Sequence, residues 1–493
     1  MRLANTQTAG GQGKDALATL DALHKLPAPT GDDARIDLME AKAAGSLGDF
    51  KRQQTAAANA ATKGRAQGAG LVVAQARLSE GLAWERQGQP DQATAAFVEA
   101  RPRLTAAGDQ QGAALALEFS GDVLYDKGNF PGAQKSFEDA LAVFRQIGAE
   151  QSMSAALNRI GNACYEQGRL EEAKTYYEQT LKIDRETDSK SGVAGSLGNL
   201  ANVLDGLGDL QAARRMNEEG LQVFTAIGDK RGMASTLANL AAVLEEVGDL
   251  ENAKKRYEQA LQLHRETAHR RGEGYAIYGL GDVLMAQGDL AEARKRQEEA
   301  LALRQQIGEA GNAAQSQAQL SQLSLEESKP AEAEKLAREA AAEFEKEKSP
   351  ELEAVAYATL ARALLAQKRL AEAQKAADQA IALSQKTGDR LPRLEATLSA
   401  ARVMAEAGKT DEAAKTLESM LTEVTRLGYV SYQFEARLAL GEIEMKSGKT
   451  AIGRARLQAL EKDARAKSFL LIARKASQVP GSHADLSKPD SSN

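Results

Sequence analysis

After Gly168 the small and apolar positions fall at Ala173, Tyr176, Tyr177, Thr180, Leu181 and Ile183, spaced i, i+3, i+4, i+7, i+8 and i+10. That spacing is one face of an α-helix. Before the glycine, Leu157, Ile160, Gly161 and Cys164 repeat the period. Glu, Lys, Arg and Gln fill the positions between, all good helix formers, and β-branched runs are absent. The pattern then stops and restarts at regular places. Steps of forty from Gly208 reach Gly168, Gly128, Gly88 and Gly48 backwards, and Gly248, Gly288, Ser328, Lys368, Gly408 and Gly448 forwards. A second ladder lies half a period away, at Gly68, Gly108, Gly148, Gly228, Gly308, Gly388 and Gly428. Glycine suits the left-handed residue that ends a helix. Two stops per forty residues predict two helices per unit.

The units also match in wording. Residues 198–215 read GNLANVLDGLGDLQAARR, 238–255 read ANLAAVLEEVGDLENAKK, and 278–295 read YGLGDVLMAQGDLAEARK. Gly161, Ala201, Ala241, Gly281 and Ala361 share one phase of the first helix. Ala133, Ala173, Ala213, Ala253, Ala293, Ala333, Ala373 and Ala413 share one phase of the second. Small residues there predict closely approaching paired helices, with Phe137, Tyr177 and Tyr257 filling the adjacent space.

Leu197, Leu200, Ala201, Leu204, Gly208 and Ala213 resemble the tetratricopeptide repeat signature in order and spacing, and the pattern returns over about 31–475. The forty-residue unit is similar to the longer repeats of Pins/LGN-type adaptors, kinesin light chains and bacterial sensor arms. The resemblance implies an all-α fold, a right-handed α-solenoid of about eleven antiparallel helix pairs. Each unit buries its apolar face on the next.

Residues 1–30 read as a partial half-repeat, 11–23, with a linker, 26–33, into the first complete unit. Residues 31–475 read as the repeat array, closed by a capping helix at 468–478, and 476–493 as a disordered tail. Ser328 and Lys368 lack the ladder glycine, so a local change of curvature is expected there, with Pro330 marking the next helix start.

Length and charge narrow the function. A chain of 493 residues exceeds one compact core. A net charge of −6 argues against direct nucleic-acid binding, which needs phosphate-neutralising bases. No apolar run approaches the ~18 residues of a membrane span. The opening MRLANTQTAGGQGKD lacks the hydrophobic region of a secretory signal, so a cytoplasmic protein without membrane contact is expected. A single cysteine excludes an internal disulfide.

Little in the sequence carries chemistry. AGKT at 407–410 and SGKT at 447–450 lack the earlier glycine of a phosphate-binding loop, having Val403 and Ile443 instead, and both fall on ladder turns. His264 and His269 are five residues apart and are expected on different sides of a helix. Cys164 and Trp84 fall on core phases. No enzyme, metal or cofactor is expected.

The resemblance further implies which first-helix phases point inward, into the concave groove. They are Glu118, Phe119, Asp122, Tyr125 and Asp126, then Asn158, Arg159, Asn162, Tyr165 and Glu166. Next come Asn199, Asn202 and Asp205, then Asn239, Glu245 and Glu246, then Tyr275, Tyr278, Asp282 and Met285. Asparagines recur at matching phases. Their amides suit the backbone of an extended peptide, or equally the bridging of neighbouring helices. Eight acids face one base, Arg159, so a basic segment is the expected ligand. A clamp for a C-terminal carboxylate lacks its lysines. The leading expectation is an interaction scaffold holding a protein or peptide partner. The alternative is the sensor arm of a larger bacterial signalling protein whose effector lies upstream.

Overall fold

The structure, a computed structural model, describes residues 1–482. Most of the expected tail, 483–493, lies outside the described residues. Among the described residues there are 25 helices and no strand. The chain forms two compact units, one of 1–167 with 175–188, the other of 168–174 with 189 onward.

The recurring Gly-Asp pair builds the turn between paired helices. Gly208, at φ 83°, ends Lys190–Gly206, and the N–H of Asp209 returns to Leu204 O at 2.8 Å. The Asp209 carboxylate then accepts from Ala212 N at 3.0 Å, capping Leu210–Ile227. Leu210, the first residue of that helix, is buried. Asp49, Asp109, Asp249 and Asp289 cap their helices in the same way.

Ser328 and Lys368, where a change of curvature is expected, keep the left-handed turn without glycine. Both adopt the left-handed conformation, at φ 60° and 62°, as do Asp188, Ala268, Lys348 and Ser468 on the other ladder. A non-glycine residue there costs about 1–2 kcal/mol, which the packing of the flanking helices offsets. The departure lies elsewhere. Gly388 is not left-handed, and Leu370–Ser384 stops short of it.

Small residues on first helices answer large ones on second helices. A Cβ on Gly121 would lie 2.5 Å from the Phe137 ring, and one on Gly161 2.6 Å from the Tyr177 ring. Gly198 has nothing within 4 Å of that point. Gly161→Ala is therefore expected to lower the urea midpoint, costing about 1–2 kcal/mol net of the helix-propensity gain. Gly198→Ala is expected to raise it by up to about 1 kcal/mol. Equal effects of the two would contradict the packing.

At the N-terminus a short helix, Arg2–Ala9, precedes Gly13–His24, and Ala4 packs with Leu17, Leu20 and Ile36. At the other end Leu470–Gln478 buries Leu471, Ile472 and Ala476. No helix of the described residues is long and apolar enough to cross a membrane.

A solenoid is expected to bond only neighbouring repeats, and the C-terminal unit goes beyond this. Its turns meet others about two hundred residues later. Arg390 Nε donates to Leu207 O at 2.6 Å, and Arg390 N to Gly206 O at 3.3 Å. Tyr429 Oη donates to Asp205 O at 3.1 Å, and Ser431 Oγ to Glu246 Oε2 at 3.2 Å. Val430 lies on Gly248, Leu470 on Gly288, and Lys475 Nζ donates to Glu326 at 2.9 Å. The turns at 388, 428 and 468 thus form a seam with those at 168, 208, 248 and 288. One continuous core joins Leu240, Tyr257 and Leu280 to Phe434, Leu438 and Ile472.

Candidate binding surface

In the N-terminal unit the residues of the expected groove mostly bond to one another. Arg159 donates to Glu118 Oε1 at 2.9 Å and to Asp122 Oδ1 at 2.8 Å. The single base of the expected groove is spent on two of its acids. Burial pushes Glu118 up to about 7 against the pull of Arg159. Tyr125 Oη donates to Glu166 at 3.2 Å, and burial followed by the Glu166 charge raises its pKa. Tyr177 Oη donates to Asn162 Oδ1 at 2.7 Å, and Asn162 Nδ2 lies 3.5 Å from Asn158 Oδ1. Asp126, Tyr165 and Glu166 are exposed. Phe119 packs against Phe97 with ring centroids 5.8 Å apart.

The C-terminal unit holds the other residues of the expected groove. Asn239 Nδ2 donates to Asn202 Oδ1 at 3.0 Å, so this pair bridges adjacent repeats. Asn199 is half-buried one phase away. Asp205, Glu245, Glu246 and Asp282 keep some water-accessible surface. Protein nonetheless surrounds their charges, with later repeats approaching Asp205 and Glu246 across the seam and neighbouring repeats covering Asp282. Burial, then Asp389, pushes Asp205 up to about 7. Burial, then Asp205, pushes Glu246 up to about 8, opposed by the Ser431 hydrogen bond. Glu245 is raised well above the carboxylate range by burial, Asp282 and Glu246. Burial raises Asp282 to about 7 against hydrogen bonds from Gln319, Tyr278 and Gln297 and the charge of Arg304. Tyr275 is 38 % exposed, and Tyr278 lies under the Arg304 guanidinium, 4.6 Å from its ring centroid. Met285 is half-buried beside Leu284 and Leu320.

The sequence list missed Asp389, Glu395, Tyr429 and Tyr432, which approach from later repeats. Glu395 repeats the phase of Tyr275 three units on, so extending the inward phases would have reached it. Nothing local in the sequence signals that it faces Glu246. Gln297, from a second helix, was also missed; Gly281 makes room for it, since a Cβ there would lie 2.5 Å from Gln297 Nε2.

The histidine expectation is corrected. His264 and His269 meet, Nδ1 to Nδ1, at 3.1 Å. The helix ends at Glu266, and left-handed Ala268 folds His269 back over it. Burial, then His269, lowers His264 to about 4. Among the described residues the one group of three potential metal ligands is His24, Asp37 and Glu40. Its carboxylates are already neutralised, Asp37 by Lys63 at 2.8 Å and Glu40 by Arg52 at 2.7 Å. Cys164 is fully buried, Trp84 packs beside Phe97 and Val123, and Gly408 and Gly448 lie in inter-helix turns.

A tetratricopeptide-repeat model matches residues 112–186, 152–226, 192–266 and 273–346, and a second matches 358–425. No curated protein matches the chain in sequence. Among solved structures, the apo form of RapI is similar over 70 % of this chain and 97 % of its own, at 15 % identity and a TM-score of 0.57. BtubC (BKLC) from P. vanneervenii is 21 % identical over 45 % of this chain and 91 % of its own, with a TM-score of 0.40. A Pyrococcus horikoshii signal-transduction ATPase with a tetratricopeptide repeat sensor, PH0952, is 14 % identical over 64 % of this chain and 50 % of its own, with a TM-score of 0.47. At its identity the RapI likeness shows the fold.

Proposed function

The chain belongs to the tetratricopeptide-repeat family, and on that premise we propose that it is a non-enzymatic scaffold holding a protein or extended peptide on the inward faces of its first helices. The supporting observation is the acidic interior of the C-terminal unit, where Asp205, Glu245, Glu246 and Asp282 come from three repeats and carry raised pKa values. Perturbed carboxyl groups gathered in one concave place make a functional-site candidate, and a bound cation would restore their charge. A basic, extended segment is the partner they suit. Asn199 and Asn239 stand at phases where they would reach its backbone, Asn239 by exchanging its bond to Asn202 for one to the ligand.

The test is affinity capture with the full chain and identification of what is bound. Glu245→Lys with Glu246→Lys is expected to slow association with that protein, and added salt to mimic the loss. A partner held equally well by the double variant would place binding elsewhere on the molecule.

A further inference from the structure

We propose that the interior of the C-terminal unit around Tyr275 is a site for an organic cation rich in N–H donors, a guanidinium or a primary ammonium. The proposal rests on the scaffold reading and names what that surface grips.

Tyr275 feels the charges of Asp205, Glu245 and Asp282, one from each of three successive first helices, against the single opposing charge of Arg304. The independent observation is a set of buried hydrogen-bond acceptors with no donor. Gln297 is 0 % exposed, and its Nε2 donates to Asp282 Oδ1 at 2.8 Å and to Tyr278 O at 2.9 Å. Two acceptors on one side fix the amide orientation, so Oε1 is the atom left buried without a partner. Gln319 Oε1 and Asp205 Oδ1 are also buried and unpartnered. Gln297 and Gln319 both bond to Asp282, and the unmet atom of each accepts, so a ligand that completes this pair must donate.

The resident cation does not fill the role. Arg304 donates to Asn312 O at 2.7 Å and Ser316 Oγ at 2.9 Å, and its plane rests on Tyr278. A metal ion fits poorly, because no three potential metal ligands converge here; the one group of three among the described residues, His24 with Asp37 and Glu40, lies in the other unit. The faces of Tyr275 and Tyr278 also favour an organic cation.

The same chemistry could come from a side chain of a bound peptide or from a free polyamine. The full chain is titrated calorimetrically with acetyl-Gly-Arg-Gly-amide and, separately, with spermidine. Saturable binding below about 1 mM is expected for at least one of them, with the tighter ligand naming the source. Glu245→Gln with Asp282→Asn is expected to weaken it about tenfold or more. This variant removes like charges, so its melting temperature should not fall; Asp411→Asn, far out on an exposed turn, should bind as the wild type does. No binding of either probe, or equal binding by the double variant, overturns the site and leaves water as the donor to these acceptors. The scaffold reading is judged separately, by whether the wild type captures a protein and whether the same double variant still does.

Discussion

Gly388→Val is expected to raise amide hydrogen exchange at two places far apart in the chain, 205–209 and 427–431, as well as at the mutated turn. A Cβ on Gly388 would lie 2.4 Å from Gly168 O, a backbone atom that cannot swing aside. The turn must back away, taking Arg390 off the carbonyls of Gly206 and Leu207. The contacts of Leu427 with Gly208 and of Tyr429 with Asp205 then loosen in sequence. Overpacking plus two or three lost hydrogen bonds amounts to about 2–4 kcal/mol. A nearest-neighbour solenoid would confine the change to the repeats beside 388. Exchange that rises only there would mean that the seam does not bear on stability.

The second large effect is a stability that falls as the solution becomes alkaline. Carboxylates whose folded pKa is raised bind more protons in the native state than in the unfolded one. Their contribution is complete below the unfolded pKa, about 4, and is lost as pH rises through the folded value. For Asp205 and Asp282 that value is about 7, and for Glu246 about 8. The groups facing Glu246 add to the effect: Asp205, Glu395 and Asp389 are all acids, and Ser431 alone opposes them. The nearby Arg390 is bound to Glu423 at 2.9 Å. His264, lowered to about 4, works in the opposite direction and only below its unfolded pKa of about 6.5. Between about pH 8.5 and 6.5 the wild type is therefore expected to gain about 1–2 kcal/mol on acidification, after allowance for water reaching the partly open carboxylates. Glu246→Gln should be more stable than the wild type at pH 8.5 and should flatten the dependence. Denaturant melts at the two pH values decide it, and a wild type that gains stability toward pH 8.5 would contradict the buried-charge assignment.

The helix pairs were legible because their determinants are local. Leu197, Leu200, Leu204 and the Gly208 turn repeat at a fixed step, and helices and left-handed stops both follow from near neighbours. The aspartate caps at Asp209, Asp249 and Asp289 are equally local, each within a GDL triplet. Ser328 and Lys368 keep the turn without glycine because flanking helices can impose a left-handed residue on a side chain that disfavours it. The engagement of Arg159 with Glu118 and Asp122 depends on side-chain reach, which helix phase alone does not give. Around Tyr275 the grouping of Asp205, Glu245 and Asp282 follows the repeat phase, whereas the approach of Tyr429 and Glu395 does not. That approach follows from the accumulated rotation of about five repeats, which no single repeat encodes.

The seam also bears on how such an array can evolve. Repeat arrays commonly change copy number by recombination, because removing one unit leaves every surviving neighbour interface as it was. Here, deleting residues 290–329 would preserve those interfaces yet carry the 428 turn a full repeat out of step with Gly208 and Gly248. Between the two sides of the seam the number of units is therefore locked, while gains and losses outside it remain neutral. Length variation among descendants of this chain should concentrate before residue 168, where no such register has to be kept.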